Sequence, residues 1–313
     1  MSTAGSFADT IQPVFIIGAP RSGTSVMTWA LGQHPNIQPM PETAWIAASA
    51  VGAYQSHASG SDRGNRSHLS NVDYPLGHFF KHHGHLIHSV VNEAFEARCS
   101  DLYGPPGIPT EAQLEKSTLF VKRRASDPKK RWVDGTPLNT FYVWALAQMF
   151  PDARFLHHLR EPHAVVASLG KFDRVGATPV DANDALQTWL QHTKAAWAAE
   201  RALGTDKVFL VDFKQLEKSV EQILESILAF LGEANCADCL APFSDRLNSS
   251  RTHSEADELK ADLEPLPLYQ EALELYDEVL STRRPVSGNA EIADADLKQV
   301  FTSLADGRLL IGG

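Results

Sequence analysis

The chain has 313 residues, 43% hydrophobic and 21% charged, with a formal net charge of −10. That length suits one large α/β domain or two smaller ones, and that composition excludes a disordered, collagen-like or coiled-coil protein. The acidic total argues against nucleic acid or an anionic membrane as partner but says nothing about any one pocket. Cys99, Cys236 and Cys239 are the only cysteines, too few for a disulfide framework.

Residues 1–12 read as a disordered start, with neither the basic nor the apolar stretch of a signal peptide. The first apolar run, Val14 to Ile17, is far too short for a membrane span. The expectation is a soluble, cytoplasmic protein whose residues 13–313 form a single domain. Its core covers about 13–232, followed by a helical segment over about 237–313.

In chain order, Pro13–Ile17 reads as a buried strand ended by Gly18, and a helix follows from about Thr24 to Gln33. Residues 55–73, rich in Ser, Gly, Asn and His, read as a mobile surface loop. A helix is predicted from Leu76 to Ala97, and Pro105-Pro106-Gly107 breaks the chain. Lys122–Arg131 is a basic run with six Lys/Arg, which either borders an anionic ligand or forms a solvated loop. Leu138–Phe150 is helical by pattern, Arg154–Leu159 a strand, and Pro162–Leu169 a helix with proline in its first turn. A long helix over Asp181–Ala202 precedes a strand at Val208–Val211. Val220, Ile223, Leu224, Ile227, Leu228 and Leu231 then mark one helix face, closed by Gly232. Leu297, Val300, Phe301 and Leu304 mark a last amphipathic helix. Strands alternating with helices imply an α/β, P-loop-like three-layer fold with a central parallel sheet flanked by helices.

The sharpest motif is Gly18-Ala19-Pro20-Arg21-Ser22-Gly23-Thr24-Ser25, between the first strand and its helix. Its backbone N–H groups and the helix N-terminus make an anion cradle. Thr24-Ser25 stands where a Walker loop has Lys-Ser/Thr, and the cation has moved inside the loop as Arg21. That suits a short anionic tail better than a triphosphate. A second anion element is Arg160-Glu161-Pro162 followed by Ser168, where a guanidinium and a hydroxyl can close on one phosphate.

Together the two elements resemble the sulfotransferases that use 3′-phosphoadenosine 5′-phosphosulfate (PAPS). The resemblance spans residues 13–232 and is closest to the bacterial and protein-tyrosine branches. It implies that Arg21, Ser22, Gly23, Thr24 and Ser25 hold the 5′-phosphosulfate, and that Arg160 and Ser168 hold the 3′-phosphate. Trp132-Val133-Asp134-Gly135-Thr136-Pro137 resembles the family's acidic–Lys–Thr–Pro element, with Gly135 where many members have Lys. Arg251, after Asn248-Ser249-Ser250, lies where members send a C-terminal segment back over the nucleotide, and is a further 3′-phosphate candidate.

Sulfuryl transfer to a hydroxyl calls for a base, and for cations where charge develops. Glu42 is the candidate base, twenty-one residues after Arg21, the spacing of the protein-tyrosine branch; Arg21 is the candidate catalytic cation. His34-Pro35 also fits that branch, although His34 is read as a helix end. In the family's cytosolic branch, to which the resemblance is weaker, the base is a histidine, which makes His57 or one of His78, His82, His83, His85 and His88 the fallback. The histidine cluster lacks a carboxylate or cysteine to complete a metal set, so no metal is expected. Cys236 and Cys239 are read as reduced thiols. Trp29, Trp45, Tyr54, His82 and His85 are candidates to line an acceptor cleft.

The expected activity is therefore sulfuryl transfer from PAPS to a hydroxyl of a small-molecule, lipid or carbohydrate acceptor, releasing 3′-phosphoadenosine 5′-phosphate. A P-loop small-molecule kinase and a catalytically silent nucleotide-binding protein are the alternatives. Neither the acceptor nor the oligomeric state follows from the sequence.

Overall fold

A computed structural model describes residues 11–103, 127–171, 180–244, 251–286 and 289–307. Its centre is a five-stranded parallel sheet in the order β2-β3-β1-β4-β5. The strands are β1 (Val14–Gly18), β2 (Ile37–Pro39), β3 (Arg131–Asp134), β4 (Arg154–Leu159) and β5 (Val208–Asp212). The helices are α1 (Thr24–Gly32), α2 (Ala44–Ser59), α3 (Leu76–Tyr103), α4 (Val143–Met149), α5 (Pro162–Leu169), α6 (Ala182–Leu203), α7 (Phe213–Lys218), α8 (Val220–Leu231), α9 (Ala241–Ser244), α10 (Arg251–Leu263), α11 (Pro267–Ser281) and α12 (Ala290–Ala305).

β1 is buried along its whole length, and its side chains alternate between two cores. Val14 and Ile16 pack with Leu31 of α1 and with Leu224, Ile227 and Leu228 of α8. Phe15 and Ile17 face the opposite layer, where Trp132, Phe150, Phe155 and Phe301 gather. Phe15 meets Trp132 edge-on at 5.3 Å and stacks on Phe155 at 5.6 Å, the geometries that aromatic quadrupoles favour. A third cluster joins α5 and α6 to α11 around Trp189 and Tyr269.

Several predicted elements have the expected bounds. Pro162–Leu169 and Val220–Leu231 are helices, and Gly232 ends the latter at φ 74°. Others differ. β2 and β3 have three and four residues, too few to show a period, and Arg131 and Asp134 interrupt the apolar pattern. α2 runs through Ser59, into the segment expected as a loop, because Ile46, Ala47, Ala50 and Ala53 form a buried stripe of small side chains. The rest of that segment holds two short 3-10 turns, Gly64–Arg66 and Ser70–Val72. The expected helix over Leu138–Phe150 is a 3-10 turn, Pro137–Tyr142, followed by α4.

Where the basic run is described, Lys130 is exposed but Lys129 and Arg131 are buried; Lys122, Arg123 and Arg124 lie outside the described residues. Lys129 is 3% exposed, and its ammonium donates to the carbonyls of Gly32, His34 and Ile37 at 2.8–2.9 Å. Arg131 is 6% exposed and donates to Gln12 O, Leu231 O and the Glu233 carboxylate. These cations close the N-terminal edge of the sheet. Among the described residues, no helix is long and apolar enough to cross a membrane.

Candidate functional site

In an open parallel sheet, ligand sites form at the strands' C-terminal ends, where the strand order reverses. β1 lies at that point, with β3 on one side and β4 on the other. The loop from Gly18 to Gly23 leaves it on tight terms. Gly18 has φ 129°, and a Cβ there would meet His158 O at 2.3 Å. Arg21 is left-handed at φ 66°, a conformation that non-glycine residues hold only when the surroundings impose it. Gly23 is the N-cap of α1 at φ 89°, and no side chain caps that helix. Thr140 Oγ1 accepts the Gly18 N–H at 2.9 Å and ties the loop's start to the 3-10 turn after β3.

Arg21 and Ser25 are exposed, and Gly23 is half-buried. Ser22 is enclosed: its N–H turns back to Ala19 O, and its carbonyl accepts from His158 Nδ1 at 3.2 Å. Burial pushes His158 down to about 4, so at neutral pH it is a neutral donor that shapes the loop from below. Thr24 is buried, and its carbonyl accepts the Thr28 hydroxyl at 2.9 Å.

The second anion element comes up beside the first. Arg160 Nη1 donates to Arg21 O at 2.9 Å, and Arg21 Nε donates to Ser168 Oγ at 3.0 Å. Arg160 lies over the Phe213 ring at 4.6 Å, and the same ring fills the space beside Gly23, where a Cβ would meet it at 2.5 Å. One aromatic side chain thus supports both elements, and no local motif marked it. α10 packs on α5, with Asp257 3.8 Å from His163. Arg251 is the first residue of α10; its side chain lies outside the described residues.

Glu42 stands exposed ahead of α2, whose N-cap is Thr43. Partial loss of solvent and the Asp134 charge raise its pKa above the ordinary carboxylate value, while Arg21 pulls it down. Glu42 is thus electrostatically coupled to the loop arginine. Trp45, one turn further, is 38% exposed, unusual for so large an apolar side chain. Tyr54 is drawn elsewhere: its ring meets Phe301 of α12 edge-on at 5.5 Å. His82 is exposed and His85 half-buried on α3, and burial lowers His85 below its ordinary value. His57 Nε2 pairs with Tyr74 O, and His34 Nε2 pairs with Ala234 O.

Gly135 has a physical reason. A Cβ there would meet Thr28 Oγ1 at 2.2 Å and Thr24 O at 3.2 Å, so α1 occupies the space that a longer side chain would need. Among the described residues no group of three or more His, Cys, Asp or Glu is placed to hold a metal ion. Cys236 and Cys239 are free thiols, and burial pushes Cys239 above its usual value.

The same region of the chain matches a known family: the sulfotransferase family model covers residues 13–237. The chain belongs to the sulfotransferase family. It is 24% identical over 220 residues to the protein-tyrosine sulfotransferase of Drosophila melanogaster, covering 70% of this chain and 37% of that protein. It is 23% identical over 222 residues to protein-tyrosine sulfotransferase 2 of Gallus gallus, covering 70% and 50%. The match therefore spans half or less of these relatives' own length. Among solved structures, the sulfotransferase domain from the Synechococcus PCC 7002 olefin synthase aligns with a TM-score of 0.45 at 19% identity, covering 94% of this chain and 96% of that one. The sulfotransferase domain from the curacin biosynthetic pathway aligns at 0.44 and 17%, covering 94% and 98%. The matched stretch contains both arginine elements and Glu42.

Proposed function

We propose that the chain transfers a sulfuryl group from PAPS to an acceptor hydroxyl on a small molecule, lipid or carbohydrate, with Glu42 as general base. The observation that carries this is the junction of the two anion elements: Arg21 on Ser168 and Arg160 on the Arg21 carbonyl, beside a carboxylate coupled to Arg21. This donor set fits a polyanion. It has two guanidinium groups, an uncapped helix N-terminus and two exposed or half-buried hydroxyls, Ser25 and Ser168.

Arg21, Gly23, Thr24 and Ser25 hold the 5′ end of the nucleotide, with Ser22 fixing the loop's shape, and Arg160, Ser168 and Arg251 hold its 3′-phosphate. When bound, PAPS supplies the sulfuryl group and a phosphate leaving group. Arg21 places positive charge where negative charge grows on the leaving oxygen. Glu42 accepts the acceptor's hydroxyl proton on its carboxylate, and its raised pKa makes it a better base at neutral pH than an ordinary glutamate. Trp45 offers the acceptor an apolar face one helical turn from the base. The residues of the motifs call for no metal ion.

Thermal stability tests the nucleotide. Adenosine 3′,5′-bisphosphate is expected to raise the melting temperature by ligand linkage, and adenosine 5′-monophosphate to do so less. Equal stabilisation by ATP with Mg²⁺, with no gain from the 3′-phosphate, would favour a kinase instead. Glu42→Gln is expected to lower turnover by about 100- to 10,000-fold while leaving bisphosphate affinity intact. An acceptor panel of phenols, sugars, sterols and a tyrosyl peptide then sorts the substrate class; the curated relatives' names put the tyrosyl peptide on it. Binding with no turnover on any of these would favour a silent nucleotide-binding protein.

A further inference from the structure

The turn that follows β3 lies between the anion loop's helix and the segment carrying Glu42. On the α1 side, Gly135 leaves no room even for a Cβ, because Thr28 Oγ1 stands 2.2 Å from where it would be. On the other side, Thr136 Oγ1 accepts the Thr43 N–H at 2.7 Å. Asp134 Oδ2 accepts the Thr43 hydroxyl, also at 2.7 Å, and the Asn139 side-chain amide at 2.8 Å. Asp134 Oδ1 accepts the Thr136 N–H at 2.9 Å and the Thr136 hydroxyl at 2.5 Å.

Asp134 is fully buried, and these four donors fill the lone pairs of both its oxygens. Burial raises its pKa, and the hydrogen bonds of Thr136, Thr43 and Asn139 oppose that rise. A buried carboxylate is expensive to desolvate and is weak evidence for stability. What this one does geometrically is fasten the residue after Glu42 to the turn packed on α1.

We propose that Asp134 is the positioning residue for Glu42: through Thr43 and Thr136 it holds the base's segment at a fixed place relative to α1 and the anion loop. The inference rests on the reading of Glu42 as the base. The same charge also acts through space. Asp134 opposes ionisation of Glu42 while Arg21, on the loop side, favours it.

The test is Asp134→Asn, which keeps the shape but turns an amide group toward donors. Adenosine 3′,5′-bisphosphate affinity is expected to stay unchanged. Turnover, followed as release of that nucleotide with whichever panel acceptor reacts, is expected to fall about 10- to 100-fold, the scale of a small displacement of a catalytic group. Removing the neighbouring anion lowers the Glu42 pKa, so the acidic limb of the kcat profile moves to lower pH. Carbon-13 NMR titration of the Glu42 carboxyl in the ligand-free protein is expected to show the same direction without any acceptor. A second pair guards against a variant that fails to fold: Thr43→Val removes the hydroxyl bond to Asp134, and Thr43→Ser restores it. Low kcat in the valine variant with recovery in the serine variant supports the proposal. Wild-type kcat in Asp134→Asn or Thr43→Val, or an unmoved Glu42 titration in Asp134→Asn, overturns it. Retained turnover in Glu42→Gln is a separate failure, which removes the base itself and leaves the hydrogen-bond geometry standing.

Discussion

The two ends of the sheet carry the same kinds of cation with opposite fates. At the N-terminal end, Lys129 and Arg131 are buried, and the chain supplies their acceptors: carbonyls of Gly32, His34, Ile37 and Leu231, and the Glu233 carboxylate. At the C-terminal end, Arg21 is exposed on a strained loop and Arg160 is only half-buried. Charge alone does not distinguish these pairs. What separates them is burial: Lys129 and Arg131 are enclosed with their acceptors, whereas Arg21 and Arg160, although each donates one hydrogen bond within the protein, keep surface that a polyanion can reach beside the N-terminus of α1.

Lys129→Met probes the scaffold end and carries the largest expected effect on stability. It removes the ammonium from the carbonyls of Gly32, His34 and Ile37, of which His34 O keeps the Ile37 N–H, so the melting temperature should drop, by about 3 kcal/mol in stability. At temperatures where the variant is folded, calorimetry should find its bisphosphate affinity unchanged. Arg21→Ala is the converse. Its affinity for adenosine 3′,5′-bisphosphate is expected to fall about tenfold or more, since a charge-assisted contact is lost. Its unliganded melting temperature should hardly move. A drop as large as that of Lys129→Met would break the contrast between the two ends.

A third charged group sharpens it. Glu200 is buried between His157 Nδ1 at 2.5 Å and Arg284 Nε at 2.8 Å. Burial by itself pushes the Glu200 carboxyl up, but His157 and Arg284 together hold it net below its ordinary value. A depressed folded pKa means a contribution that is present above the unfolded value and lost as pH falls through the folded one. Denaturation midpoints followed against pH should therefore decline on the acid side, and Glu200→Gln should flatten that decline without changing bisphosphate affinity at neutral pH. The smallest effect belongs to Phe213→Leu. Losing the ring beneath Arg160 should weaken bisphosphate binding about two- to fivefold, the scale of an exposed cation–π contact. No loss of binding would make Phe213 a packing residue for Gly23 alone.

How much was legible follows from how local each feature is. The strand–loop–helix at Val14–Gly32, the helix after Arg160 and the face of α8 are each set by a contiguous stretch: an apolar run, a proline in the first turn, a helical period ended by a glycine. The two arginine motifs are readable on the same ground, whereas the spacing from Arg21 to Glu42 means something only through the resemblance to the family. Asp134 was visible only as part of a motif. Its bond to the Thr136 N–H two residues on is an Asx turn, a signal that Asp-x-Thr does carry, but its grip on Thr43 crosses 91 positions.

By itself, then, the sequence determined a parallel α/β chain with a strand–loop–helix opening and a second arginine segment at Arg160–Ser168, because each is written in neighbouring residues, while the choice of Glu42 came through the resemblance to the family. Only the tertiary structure decided which cations are enclosed and which keep exposed surface. It alone joined Arg21 to Ser168 across 147 positions, set Phe213 beneath both elements, and filled the space at Gly135 with Thr28. It also made strands of Ile37–Pro39 and Arg131–Asp134, too short to show a period of their own. The physical reason is the same in each case. Burial, hydrogen-bond satisfaction and steric fit are properties of pairs, and the partners here are brought together by the sheet.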